Sequence, residues 1–139
     1  MRVILDSNIL LVSLPKLSKY RLIFDDFFKN IITLIISNEF ITEYFEVISR
    51  FTNEVVASNV MELLLIRPNV EKYDIYYNWT IITEDLDNNK FVDLAVSSNS
   101  DYLVTNDKHF KILNEIDFPK VQIINLDNFI ELLKSRKWT

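Results

Sequence analysis

The sequence predicts a single α/β domain over residues 1–139, with three layers (α/β/α) and a mostly parallel central sheet of four to five strands. Short apolar runs without alternation recur along the chain, as strands buried on both faces require. Segments with helical apolar spacing lie between these runs, which is the order of βαβ units. The length of 139 residues suffices for one domain with its own core, and no repeat, linker or low-complexity tract divides it.

Composition excludes several classes of site. The chain contains neither cysteine nor glycine, which excludes disulfides, thiolate sites and the glycine-rich phosphate-binding motifs. Asparagine is expected to fill left-handed backbone positions instead. The net charge of −5 argues against nucleic-acid binding through a basic face, but it permits a nucleic acid held through metal ions on carboxylates. No apolar run reaches membrane-spanning length and no signal-like segment opens the chain, so we expect a cytoplasmic protein without a membrane partner.

The first predicted strand covers residues 2–5 and is followed by Asp6, Ser7 and Asn8. Asp6 thus stands at the carboxyl end of a central strand, where open α/β sheets place their ligands. A carboxylate there needs a partner or a cation. Asp6 could equally do no more than cap the helix that follows.

A helix is predicted from a cap at Ser18 to Asn30, then a buried strand over 32–36, then a second helix capped by Ser37. Five apolar residues of that second helix are expected to share its inward face: Phe40, Tyr44, Val47, Ile48 and Phe51. At about 100° per residue, Glu43 lies closest of the helix's glutamates to this apolar face. Glu43 is therefore either a functional acid or a rim glutamate in a surface ion pair.

The middle of the chain is predicted less completely. A helix capped by Asn53 runs to Ile66, and residues 70–79 favour neither strand nor loop. A short strand candidate over 80–83 precedes the densest cluster of acids and amides, residues 84–89. This cluster opens a helix whose predicted inward residues are Phe91, Leu94, Ala95 and Ser98. Asp87 or Asn88 could serve only as its cap.

The next predicted strand, residues 101–105, repeats the pattern of the first, because Thr105, Asn106 and Asp107 stand at its carboxyl end. His109 is expected to be a surface or lightly packed residue. A last strand is predicted over 121–124, and Asp127 is predicted to cap a terminal helix that ends near Lys137.

Right-handed crossovers place successive carboxyl ends of parallel strands at one edge of the sheet. Asp6, the cluster over 85–88 and Asp107 would meet there, with Glu43 one helical turn from its strand. Unpaired carboxylates repel one another, and a divalent cation removes that conflict. Oxygen ligands without cysteine indicate Mg²⁺ or Mn²⁺ rather than zinc. Because such ions promote phosphodiester hydrolysis, the order of acids suggests a metal-dependent nuclease.

At these residues the chain resembles the PIN-domain family of ribonucleases, which includes VapC-type toxins of bacterial toxin and antitoxin pairs. Four motifs in order carry the resemblance: Leu5-Asp6-Ser7-Asn8, Ser37 to Glu43, Asp85 to Phe91, and Leu103 to Asp107. The resemblance implies a parallel sheet and an acidic site that binds Mg²⁺ or Mn²⁺ and cleaves RNA. It implies catalytic roles for Asp6, Glu43, Asp87 and Asp107, metal binding by Asp6, Glu43, Asn88 and Asp107, and supporting roles for Asn8, Thr105 and Asp85.

One position departs from the family pattern, because Asn88 falls where a third acid is usual. An amide oxygen can bind a hard cation but brings no negative charge. The alternative is therefore a catalytically weakened PIN domain that binds RNA or a protein. If the toxin interpretation holds, the family implies a small antitoxin as partner, and the aromatic-rich helices could supply a homodimer interface.

Overall fold

The described residues contain one sheet of five strands. The structure is a computed structural model that describes residues 1–73, 89–110 and 121–136. The strands are β1 (Arg2–Leu5), β2 (Thr33–Ile36), β3 (Val70–Lys72), β4 (Tyr102–Val104) and β5 (Ile123–Ile124). The helices are α1 (Ser7–Ser13), α2 (Arg21–Phe28), α3 (Asn38–Phe51), α4 (Glu54–Ile66), α5 (Asn89–Ser98) and α6 (Leu126–Arg136).

The sheet has the order β3-β2-β1-β4-β5, and each neighbouring pair is parallel. Helices flank it, so the predicted α/β class and parallel sheet are confirmed. The chain steps from β1 outward to β2 and β3, then returns to the other side of β1 to form β4 and β5. The direction of winding therefore reverses between β1 and β4, and such a switch point opens a crevice at the carboxyl ends of the strands.

The core sits between the sheet and the helices. Val3 and Ile4 of β1 are fully buried, as expected for a strand covered on both faces. Phe40 of α3 is also fully buried, and its ring lies 4.4 Å from the ring of Phe91 in α5. These contacts fix α3 and α5, which both carry site residues, in relation to each other.

Within the described part of this glycine-free chain, two asparagines take left-handed backbone conformations. Asn30 follows α2 with φ 63°, and Asn99 follows α5 with φ 52°. Asparagine tolerates this region better than most other residues because its short polar side chain can hydrogen-bond locally. The prediction that asparagine takes such positions is confirmed.

Several predicted boundaries were wrong at helix ends. Helix α2 begins at Arg21 rather than after Ser18, because the Ser18 hydroxyl accepts the Tyr20 N–H in a turn that precedes the helix. Phe51 was predicted to face inward but is 63% exposed, because it is the last residue of α3, where the chain turns into α4.

At α6 the capping residue is Asn125 rather than Asp127. The Asn125 side chain accepts the Asn128 N–H at 2.8 Å, and Asp127 lies within the first turn. Both residue types are good caps, so the sequence alone did not separate them.

Some predictions fall outside the described residues. These are the strand candidate over 80–83, the cluster that contains Asp85, Asp87 and Asn88, and Lys137. None of the helices within the described ranges is both long enough and apolar enough to span a bilayer.

Candidate active site

Asp6 links the end of β1 to the end of β4. It is the N-cap of α1, and its Oδ1 accepts the Asn8 backbone N–H at 3.4 Å. Its Oδ2 accepts the Thr105 hydroxyl at 2.8 Å. Asp6 therefore does more than cap a helix, because one carboxylate oxygen caps α1 while the other accepts a hydrogen bond from Thr105 at the end of β4.

Thr105 joins Asp6 to the segment that carries Asp107. The Thr105 Oγ1 accepts the Asp107 backbone N–H at 3.1 Å while its own hydroxyl donates to Asp6. The side chain of Asp107 is held in turn, because its Oδ1 accepts the His109 backbone N–H at 2.9 Å. The His109 ring approaches the same oxygen, with Nδ1 at 3.3 Å. A chain of hydrogen bonds thus fixes Asp6 and Asp107 at neighbouring strand ends.

Glu43 approaches the residues after β1 from α3. Its Oε2 accepts a hydrogen bond from the Ser7 hydroxyl, and its Oε1 is ion-paired with the ammonium of Lys90. The next residue, Tyr44, is fully buried and its hydroxyl donates to the Leu5 carbonyl at 2.6 Å. This hydrogen bond anchors α3 beside the end of β1, which places Glu43 next to the residues that follow the strand.

Electrostatics indicate that these carboxylates lie near one another. Burial raises the pKa of Asp6 above its ordinary value, hydrogen bonds from Thr105 and Asn8 lower it, and the charges of Glu43 and Asp107 raise it further. The pKa of Tyr44 is also raised, mainly by burial and then by the charges of Asp6 and Glu43. The charged form of Asp6 is therefore less stable here than in water, and a bound cation would stabilise it.

The donor set suits a hard divalent cation in its chemistry. It consists of carboxylate oxygens with hydroxyl groups around them, which Mg²⁺ and Mn²⁺ prefer. Among the described residues, no three acidic or histidine side chains come together closely enough to hold one ion. Mg²⁺ is commonly held by only one or two carboxylates and several waters. Asp6 and Asp107 would serve as such ligands, so the residues fit the ion without a closed protein cage.

The predicted site residues divide into two groups. Hydrogen bonds link Asp6, Thr105 and Asp107, and Glu43 is bonded to Ser7, the residue after Asp6. Asn8 contributes its backbone N–H, and its side chain is exposed. Asp85, Asp87 and Asn88 lie outside the described residues, so their roles stay predictions.

Sequence reasoning did not assign roles to Ser7, Tyr44 and Lys90, and it set His109 aside. Ser7 and Lys90 lie within two of the quoted motifs, next to or near predicted site residues, and this position in the sequence was the one indication that they belong to the site. Tyr44 was predicted as core, but nothing in its spacing predicted the hydrogen bond to Leu5. His109 lies two residues after Asp107, a spacing that allows its backbone N–H to bond the carboxylate.

Comparisons with known proteins bear on the family and the fold. No curated protein matches the chain in sequence. The structure resembles a chain in the crystal structure of VapBC2 from Rickettsia felis bound to a DNA fragment from their promoter, with a TM-score of 0.57 and 20% identity. The match covers 90% of this chain and 98% of that chain. A family model for the PIN domain matches residues 2–109. The chain therefore belongs to the PIN-domain family.

Proposed function

We propose that the protein is a Mg²⁺- or Mn²⁺-dependent endoribonuclease and the toxin component of a toxin and antitoxin pair. One observation carries the proposal: Thr105 bridges Asp6 to Asp107 at the switch point of the sheet, with Glu43 beside them. Membership of the PIN-domain family supports nuclease chemistry. The fold shared with a VapBC2 chain supports the toxin role and a small antitoxin as partner.

The charge of the crevice explains why the proposed reaction needs a cation. The charges of Glu43 and Asp107 act on Asp6, and carboxylates placed this way would repel the phosphodiester backbone of RNA. A bound divalent ion would supply Lewis acidity to the scissile phosphate and stabilise charge on the attacking and leaving oxygens. Asp6 and Asp107 would hold the ion, and Thr105 would keep the Asp6 carboxylate in the orientation that faces it.

A cleft beside Asp107 offers a path for the RNA strand. It runs along the carboxyl ends of β4 and β5, and its lining includes Lys108, Phe110, Asn125 and Asn128. Lysine can contact phosphates and amides can contact bases, while an aromatic ring could stack on a base where it is accessible. Phe110 is fully buried, so we assign the proposed RNA contacts to the polar residues of the cleft.

The second candidate function is a weakened PIN domain that binds RNA or protein without cleaving. Asn88 favours it, because an amide replaces a usual acid. The absence of a three-ligand acidic group among the described residues favours it as well. Cleavage by the wild-type protein would decide against this candidate.

The decisive experiment is an RNA cleavage assay in Mg²⁺, in Mn²⁺ and in EDTA. We expect the wild type to cleave RNA in the presence of either metal and to be inactive in EDTA. Asn88→Asp is expected to raise the rate about tenfold, since residues around a metal are each worth about 10- to 100-fold. Asn59→Asp adds the same charge to the exposed face of α4 and is expected to change nothing.

The possible outcomes separate the two functions. An inert wild type with an active Asn88→Asp variant would support the weakened domain. Inactivity of both proteins on every RNA tested would contradict the nuclease proposal. The antitoxin and the homodimer are separate proposals, checked by the presence of a small neighbouring reading frame and by the mass of the protein in solution.

A further inference from the structure

The carboxylate of Glu43 is engaged on both oxygens by other residues of the chain. Ser7 of α1 donates to Oε2, and Lys90 of α5 pairs with Oε1. The side chains of Lys90 and Glu43 are only 22% and 23% exposed. Partial shielding makes such a pair stronger than one in open solvent. Lys90 therefore places a positive charge at the edge of the acidic crevice.

This charge and a divalent ion act on the same carboxylate in opposition. An ammonium and a metal ion bound to one carboxylate repel each other, so an ion at Glu43 must displace Lys90 or bind more weakly beside it. In this structure the Oε1 of Glu43 is paired with Lys90.

We propose that Lys90 is a positioning residue that competes with the divalent cation for Glu43. Glu43 pairs with the ammonium in the metal-free protein and with the ion in the metal-bound protein. This inference rests on the proposed function, because it takes Asp6 and Asp107 as the neighbouring ligands. Its consequence is that Lys90 limits carboxylate repulsion in the metal-free protein and sets the metal concentration at which the site fills.

Mn²⁺ binding to the full chain, measured by electron paramagnetic resonance without RNA, tests the competition. Lys90→Gln is expected to tighten Mn²⁺ binding about tenfold, the scale of removing one nearby unit charge from a partly exposed site. Lys90→Arg keeps the charge and is expected to stay within about twofold of wild type. Lys134→Gln removes the same charge from an exposed pair with Glu131 and is expected to have no effect.

A second measurement tests the ion pair itself. In EDTA, Lys90→Gln is expected to lower the free energy of unfolding in the wild-type background and to have a smaller effect in a Glu43→Gln background. At saturating Mn²⁺ the loss caused by Lys90→Gln is expected to disappear. Additive effects of the two substitutions in EDTA would overturn the pairing.

The outcomes distinguish this inference from the proposed function. Mn²⁺ binding by Lys90→Gln that is absent, unchanged or weaker than wild type would overturn the competition, even where the wild type cleaves RNA. Tightened Mn²⁺ binding in a protein that never cleaves RNA would support the competition and overturn the nuclease.

Discussion

Replacing Asp6 with asparagine will lower metal-dependent RNA cleavage by more than about a hundredfold. Asp6 is tied to Thr105 and lies within the electrostatic range of Glu43 and Asp107. Partners that only orient metal ligands are each worth about 10- to 100-fold, so loss of a ligand's charge should cost more. Initial rates at several Mg²⁺ concentrations measure the effect and separate weaker metal binding from slower turnover.

The same substitution is expected to stabilise the metal-free protein at pH 7. Because the pKa of Asp6 is raised in the folded state, mainly by burial, the folded protein binds this proton more tightly than the unfolded chain does. Stability contributed at this position therefore falls as pH rises from the unfolded pKa through the folded pKa. Asparagine carries no charge and is as good a helix cap, and its one acceptor oxygen keeps one of the two hydrogen bonds that Asp6 accepts, which limits the gain. We expect a gain of about 0.5 to 1 kcal/mol in the free energy of unfolding at neutral pH.

The pH dependence of that gain checks its cause. The advantage of Asp6→Asn over wild type should shrink as pH falls and the wild-type carboxylate gains its proton.

Asp25→Asn is the matched control, because Asp25 is half exposed and pairs with Arg21 on α2. Its cleavage rate should equal that of the wild type. Undiminished cleavage by Asp6→Asn would contradict the assignment of the active site.

Replacing Phe40 with alanine is expected to cause the largest loss of stability. Phe40 is fully buried, and its ring packs against Phe91 at 4.4 Å and Tyr44 at 6.0 Å. Truncating a buried phenylalanine costs about 3 to 5 kcal/mol, which includes the cavity left behind. For a domain of this size the melting temperature should fall by about 10 to 20 °C. Calorimetry and urea unfolding measure both quantities.

A conservative variant tests whether the loss of stability comes from the cavity or from any change of side chain at this position of α3. Phe40→Leu keeps most of the apolar volume and is expected to cost about 1 kcal/mol. Because the Phe40 side chain is fully buried in the core and leucine keeps most of its volume, the folded fraction of Phe40→Leu should retain wild-type cleavage. A loss under about 1 kcal/mol in Phe40→Ala would contradict the close packing of α3 on α5.

The strand pattern allowed most of the fold to be predicted from the sequence. Apolar runs at residues 3–5 and 34–36 led to buried parallel strands, because such strands need apolar residues on both faces. The ends of helices were harder. Ser18 has the chemistry of a helix cap but forms a turn, and Asn125 and Asp127 are equally suited to cap α6. Local chemistry alone does not choose between such neighbours.

Part of the candidate site was also predictable. Asp6 and Asp107 follow parallel strands, and topology alone brings such residues to one edge. The helical period predicted that Glu43 lies closest of the glutamates of α3 to the buried face of that helix. The ion pair with Lys90 was not predictable, because it depends on how α5 packs against α3, many residues away in sequence. The two roles of Asp6 were also not predictable together. From the sequence, capping α1 and contacting the end of β4 were alternatives, whereas in the structure Asp6 does both.

The most direct test is the anomalous diffraction of Mn²⁺ in crystals of the full chain. We expect a peak between the carboxylates of Asp6 and Asp107, with Glu43 turned away from Lys90. Occupied Mn²⁺ sites found only elsewhere on the protein would contradict it.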